Sequence, residues 1–183
     1  MLAEAQCKAW EIPASAFAQT MDVNVGGVSN LCRHFVPLML DGGRGAFIAM
    51  SSGSGRCTGA YKGAYGTSKF AVEAFVKCLA HGLPPPLMAV PLAPGTVATG
   101  SGPNPSRLPD AWEWAETAVP YILDVVSQPH LNGASLSVPG FYPDEFVRNW
   151  IIADGLELVP EPGTPRRQPS CESRDAPVDA PTE

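Results

Sequence analysis

Tyr65 and Lys69 stand four residues apart, so on a helix their side chains would share one face, one turn from each other. An ammonium beside a phenol favours the phenolate, which equips such a pair to give and take a proton near neutral pH. Ser52 precedes Tyr65 by thirteen residues, in a run that reads Ala-Met-Ser-Ser-Gly-Ser-Gly. A hydroxyl that orients an oxygen and a phenol that protonates it together suit general acid–base work on a carbonyl or an alcohol. Each residue also has a plain reading. Tyr and Lys at this spacing usually form a solvated pair, a lone Ser often does no more than cap a turn, and Asn24 could be a satisfied core amide.

The elements around these residues decide whether they can meet. From Pro13 to Leu40 the apolar positions recur at helical spacing, with Val28, Leu31, Cys32, Phe35 and Leu38 on or near one face, which predicts a long buried helix. Asn24 lies on the same stripe, four residues before Val28, so its amide points toward protein and must find partners there. Gly45 to Met50 is a short apolar run between Gly42-Gly43 and a Ser/Gly stretch, and it predicts a buried strand. Ser51 to Gly63 is loop, and Ala64 to His81 returns to helical periodicity before Gly82 and three prolines stop it. Leu87 to Leu92 predicts a second buried strand despite Pro91, ending in Ala-Pro-Gly. After a loop from Gly100 to Pro109, Asp110 is a suitable N-cap for a helix to about Val126. Asn132-Gly133 marks a turn, and Ala134 to Val138 a third strand.

Alternating strands and helices predict an α/β fold, a parallel sheet covered by helices. In such sheets ligands bind beyond the carboxyl ends of the strands. Ser51-Ser52 follows one strand directly and Pro94-Gly95-Thr96-Val97-Ala98-Thr99 follows another, so two strand ends and the Tyr65 helix converge on one crevice.

Composition narrows the partners. At 183 residues the chain can bury one core and carry a tail, and its net charge of -6 without a Lys/Arg cluster argues against nucleic acid. No apolar run reaches the roughly 18 to 20 residues of a membrane span. Glu4 and Lys8 interrupt the only stretch that could be a leader, so a soluble, cytoplasmic protein is expected. Five scattered cysteines without a C-x-x-C pair suit reduced thiols, and His34, His81 and His130 share no metal-ligand spacing with them. Beyond Pro160 large apolar residues nearly vanish, so residues 160–183 are expected to be disordered.

With Asn24 in "DVNVGG", then "AMSSGSG", "AYGTSK" and "APGTVAT", the sequence resembles the short-chain dehydrogenase/reductase family from about Leu2 to Phe141. The resemblance implies a Rossmann-like, doubly wound sheet within residues 1–145, followed by an extension over 146–159. It implies that Ser52 binds the substrate carbonyl, Tyr65 exchanges the proton, and Lys69 stabilises the phenolate and holds the nicotinamide ribose. Asn24 would anchor a water in the proton path, and Pro94, Gly95, Val97 and Thr99 would border the nicotinamide and phosphates. Tyr61 is the rival acid, but position 65 holds tyrosine where the motif would need lysine. The implied reaction is reduction of an aldehyde or ketone by NADP(H) more than NAD(H), in a homo-oligomer. Short segments such as "NLCRHFVPLML", "PDAW" and "NGASLSV" look most similar to the plant-type pterin aldehyde reductase branch of the family.

A dinucleotide fold also needs a glycine-rich turn between a strand and a helix, where pyrophosphate meets a helix N-terminus. Gly53-Ser54-Gly55-Arg56-Cys57-Thr58-Gly59 mimics it, but the third glycine is misplaced and no helix opens on it directly. Compared with the family, the first strands and this turn are missing, about ninety residues at about thirty per βα unit. The fold is therefore expected to be incomplete, with an unpaired sheet edge, poor stability and weak dinucleotide binding. The alternative function is a truncated, inactive remnant acting as a dimerising interaction module. A hydrolase using Ser52 is disfavoured, since no G-x-S-x-G elbow surrounds it.

Overall fold

The computed structural model describes residues 7–57, 61–95, 97 and 111–140. Thr99, the loop 100–109, Asp110, the extension 146–159 and the tail 160–183 lie outside the described residues.

The first helical run holds from Ala14 to Gly42 but is not uniform. Helix α1 (Ala14–Met21) passes into α2 (Gly27–Gly42) through a single widened turn, Asp22–Gly26, in which the Gly27 N–H bonds the Asp22 carbonyl five residues back. Widened turns of this kind are rare and concentrate at functional sites. Asn24 is at the centre of this one.

Strand β1 (Ala46–Met50) follows, then a tight turn over Gly53–Gly55, helix α3 (Gly63–Gly82), strand β2 (Met88–Ala93), helix α4 (Ala111–Val126), a short turn over Pro129–Leu131 and strand β3 (Leu136–Ser137). The three strands are parallel in the order β1-β2-β3, with Ala46 opposite Met88, Met50 opposite Leu92, and Leu92 opposite Leu136. All six β2 residues are buried, which explains the unbroken apolar run from Leu87: a central strand covered on both faces shows no alternation. Pro91 is in this central strand, although proline gives a ladder no N–H.

Helices cover both faces. Phe47, Ala49 and Ala89 pack on one side with Val36 of α2 and Val72, Val76 and Ala80 of α3, and Val25, Val28, Cys32 and Met39 close that layer. Met88, Val90 and Leu92 face the other way, against Ala118 and Val125 of α4 and Val138 beyond β3. This is the doubly wound α/β arrangement expected, with three strands among the described residues.

The expectation of a wholly buried first helix needs correcting. Leu31, Phe35 and Leu38 are 53%, 53% and 65% exposed, while Val28, Cys32, Val36 and Met39 pack inward. The apolar arc of α2 is wider than the stripe of roughly 100° that one packed layer can cover, so its second half faces outward.

Candidate active site

β1 ends at Met50, and the two serines after it part company. Ser51 donates its backbone N–H to the Leu92 carbonyl at 2.7 Å, continuing the ladder, and its side chain is 3% exposed with Oγ unpaired. Ser52, one residue on, is half-buried and begins the Gly53–Gly55 turn, where its Oγ accepts from the Ser54 N–H at 3.2 Å. Ser52 therefore does cap a turn. That bond uses a lone pair and leaves the hydroxyl proton free to donate elsewhere.

The turn is pressed onto α3. A Cβ placed on Gly55 would lie 2.8 Å from the Lys69 carbonyl oxygen and 2.9 Å from its carbon, so only glycine permits this approach. Helix α3 carries Tyr65 and Lys69 on one face. Lys69 Nζ donates to the Met50 carbonyl at 3.0 Å and stands 5.6 Å from the centre of the Tyr65 ring. Burial pushes the Lys69 ammonium below its ordinary pKa, since desolvation penalises the charged form. Tyr65 is 43% exposed.

Asn24 reaches α3 from the widened turn of the first helix. Its Nδ2 donates to Ser68 Oγ at 2.9 Å, and Ser68, fully buried, donates in turn to the Tyr65 carbonyl at 2.7 Å. The amide thus finds the protein partner its place on the stripe required. Its side chain is committed to holding the two helices together.

At the end of β2, Pro94 and Gly95 are half-buried, and Gly95 has φ +83°, a left-handed turn that favours glycine. The Pro94 carbonyl accepts from Trp114 Nε1 of α4 at 2.8 Å, which ties this turn to the opposite helical layer. Val97 is half-buried just beyond. The fold thus brings Asn24, Ser52, Tyr65, Lys69, Pro94 and Gly95 to one side of the sheet, at the carboxyl ends of β1 and β2 or on the helices flanking them.

Three residues here were not singled out from the sequence: Arg56, Glu73 and Trp114. Arg56 Nε meets Glu73 Oε1 at 3.0 Å, with the two side chains only 11% and 7% exposed. A signal for Glu73 existed, since it stands between Val72 and Val76 on the packed side of α3, where a charge requires a partner.

The donor set suits the nicotinamide end of a dinucleotide. A phenol, a half-buried ammonium and a glycine turn without a Cβ offer a proton donor, a ribose partner and close backbone approach. Among the described residues no glycine-rich turn opens directly into a helix. The Gly53–Gly55 turn bonds within itself, Gly55 N–H to the Ser52 carbonyl and Arg56 N–H to Gly53.

Comparison with known proteins agrees with this geometry. Residues 3–106 match the sequence profile of the family described as short chain dehydrogenase. An NADPH-dependent pterin aldehyde reductase from Arabidopsis thaliana is 38% identical over 138 residues, 72% of this chain and 55% of that protein. A short chain dehydrogenase structure from Pseudomonas syringae superposes with a TM-score of 0.64 at 30% identity, covering 73% of this chain and 56% of the other. One from Escherichia coli CFT073, solved with NADPH, gives 0.64 at 26% identity over 73% and 57%. The chain spans little more than half the length of each.

Proposed function

Because the chain belongs to the short chain dehydrogenase family, we propose that its site reduces an aldehyde or ketone to an alcohol, with Ser52, Tyr65 and Lys69 as the working side chains. The observation that carries this reading is the placement of Lys69 between the Tyr65 ring and the carbonyl end of β1, two residues from Ser52.

In this mechanism Ser52 Oγ–H donates to the substrate carbonyl oxygen, and Tyr65 Oη gives that oxygen its proton as the carbonyl carbon is reduced. The Lys69 ammonium stabilises the negative charge left on Tyr65 Oη. Asn24 locks α3 through Ser68, and the widened turn around it is the place for a water that returns the proton. The hydride for the carbonyl carbon would come from a nicotinamide, when bound. Lys69 would hold its ribose, and Pro94, Gly95, Val97 and Thr99 would border its ring and phosphates. NADP(H) is favoured over NAD(H) by the NADPH-dependent plant relative and by the bacterial structure holding NADPH. A pterin aldehyde is the first substrate to try, on the strength of the same relative.

The test is aldehyde reduction by the chain with millimolar NADPH, followed as loss of nicotinamide absorbance. Tyr65→Phe removes only the proton donor and should cut turnover by about a hundredfold or more, with the unfolding midpoint unchanged. Undiminished turnover would overturn the assignment.

A second reading rests on the outward Leu31, Phe35 and Leu38 arc of α2. Exposed apolar stripes mark interaction surfaces, so a chain without turnover would act through this face as a self-associating module. Sedimentation of parent and Leu31→Lys/Leu38→Glu chains decides it: a parent that runs as a monomer excludes the module.

A further inference from the structure

Resting on the reductase reading, we propose that Arg56 and Glu73 are positioning residues that hold the Ser52 hydroxyl against the Tyr65–Lys69 face of α3. Arg56 closes the turn that Ser52 opens, and its N–H bonds the Gly53 carbonyl at 3.1 Å. Its side chain then leaves the turn and joins three other elements. Nε donates to Glu73 Oε1 at 3.0 Å, Nη1 to Ser137 Oγ at 2.9 Å, and Nη2 to the carbonyls of Leu136 at 2.8 Å and Pro91 at 3.5 Å. The second oxygen of Glu73 accepts from Ser135 Oγ at 2.5 Å.

Glu73 is four residues after Lys69, so the anchor lies one helical turn beyond the ammonium that faces the Tyr65 ring. The turn is thereby fixed to α3 at two points, Gly55 against the Lys69 carbonyl and Arg56 on Glu73. The guanidinium also reaches both β2 and β3 where Pro91 can give the sheet no backbone donor. A planar fork with five fixed N–H groups fits this set of acceptors, and a lysine would not.

Stability alone does not account for such a network. A buried ion pair adds little net stability over an apolar pair of similar volume, although removing one partner strands a charge and is strongly destabilising. What the pair does fix is geometry. The Ser52 hydroxyl and the Tyr65 phenol must meet one substrate oxygen, and a displacement of about 1 Å at such a point costs on the order of a hundredfold in rate.

The experiment uses the double variant Arg56→Met/Glu73→Leu, which leaves no stranded charge, beside the parent and Tyr65→Phe. Turnover with NADPH and an aldehyde is measured together with amide hydrogen exchange of the folded chain. Counted per folded chain, so that partial unfolding does not mimic the loss, the double variant should lose about ten- to a hundredfold in kcat with KM for NADPH within about twofold, the pattern of an interaction made only in the transition state. The Ser54 and Gly55 amides should exchange about tenfold faster, and the Ala89, Val90 and Leu92 amides of β2 should not change. Exchange at Ser54 and Gly55 equal to the parent, or kcat within about twofold of it, overturns the proposal. Parent turnover matched by Tyr65→Phe instead defeats the reductase reading. Faster Ser54 and Gly55 exchange would then still establish that the ion pair positions the turn.

Discussion

Lys69 Nζ, on α3, donates to the carbonyl oxygen of Met50, the last residue of β1, at 3.0 Å. The bond orients the ammonium, but burial penalises its charge, so the folded pKa lies below that of the unfolded chain. Between the two values the unfolded chain binds more protons, and stability therefore rises with pH across that window. Below the window the burial penalty is present in full. Thermal midpoints of parent and Lys69→Met should diverge in the parent's favour as pH climbs from about 7 toward the ordinary lysine value of about 10.4. A difference that stays flat or moves the other way contradicts the buried ammonium.

Gly55 gives a separate test of how closely the serine turn is seated. An added Cβ meets Lys69 backbone at 2.8 and 2.9 Å and Ser51 Oγ at 3.0 Å, and the helix backbone cannot yield as a flexible side chain would. Gly55→Ala should destabilise the chain by about 1–3 kcal/mol, the range for forcing volume into a packed site. Urea unfolding measures this, and the Ser52 and Ser54 amide resonances should shift while those of β3 stay in place. An unchanged midpoint would mean that the turn stands off α3.

Asn132 does more than mark a turn. Its Oδ1 accepts from the Ala89 N–H at 2.8 Å and its Nδ2 donates to the Ala80 carbonyl at 2.9 Å, joining the start of β2 to the end of α3. Both residues are buried, so Asn132→Ala strands the Ala89 N–H and leaves the Ala80 carbonyl with the longer bond from the Leu83 N–H at 3.4 Å. The expected cost is about 1–3 kcal/mol, the range for one buried group left unmade. A loss below about 1 kcal/mol by denaturant titration would show that water replaces the amide.

Short apolar runs bounded by Gly and Pro revealed β1 and β2, because a buried strand leaves that trace whatever packs on it. Gly82 and the prolines after it likewise marked the end of α3 within a residue. Asn24 was legible for a similar reason: a polar residue on an apolar stripe must be paired, and Ser68 pairs it. Periodicity failed on α2, where it reports that residues are apolar but not how much of the arc has a neighbour. Arg56–Glu73 escaped as a pair because its members come from a loop and a helix 17 residues apart, a distance no local pattern encodes. Asn132 was read as turn chemistry since the sequence shows the dipeptide Asn-Gly and hides the strand it braces.

The opposite fates of Ser51 and Ser52 turn on parity. Successive strand residues point to opposite faces, so the residue count from the β2 pairing, and not the identity of either serine, selects which hydroxyl is sealed inward and which stays half-buried at the turn. Deleting one residue between Ala46 and Met50 would carry Ser52 into the sealed position and Ser51 back to that of Met50, leaving Gly53 where the turn hydroxyl had been, without altering either side chain. The site is therefore far more sensitive to insertions and deletions in β1 than to substitutions there, a property that any graft of this segment onto another scaffold would inherit.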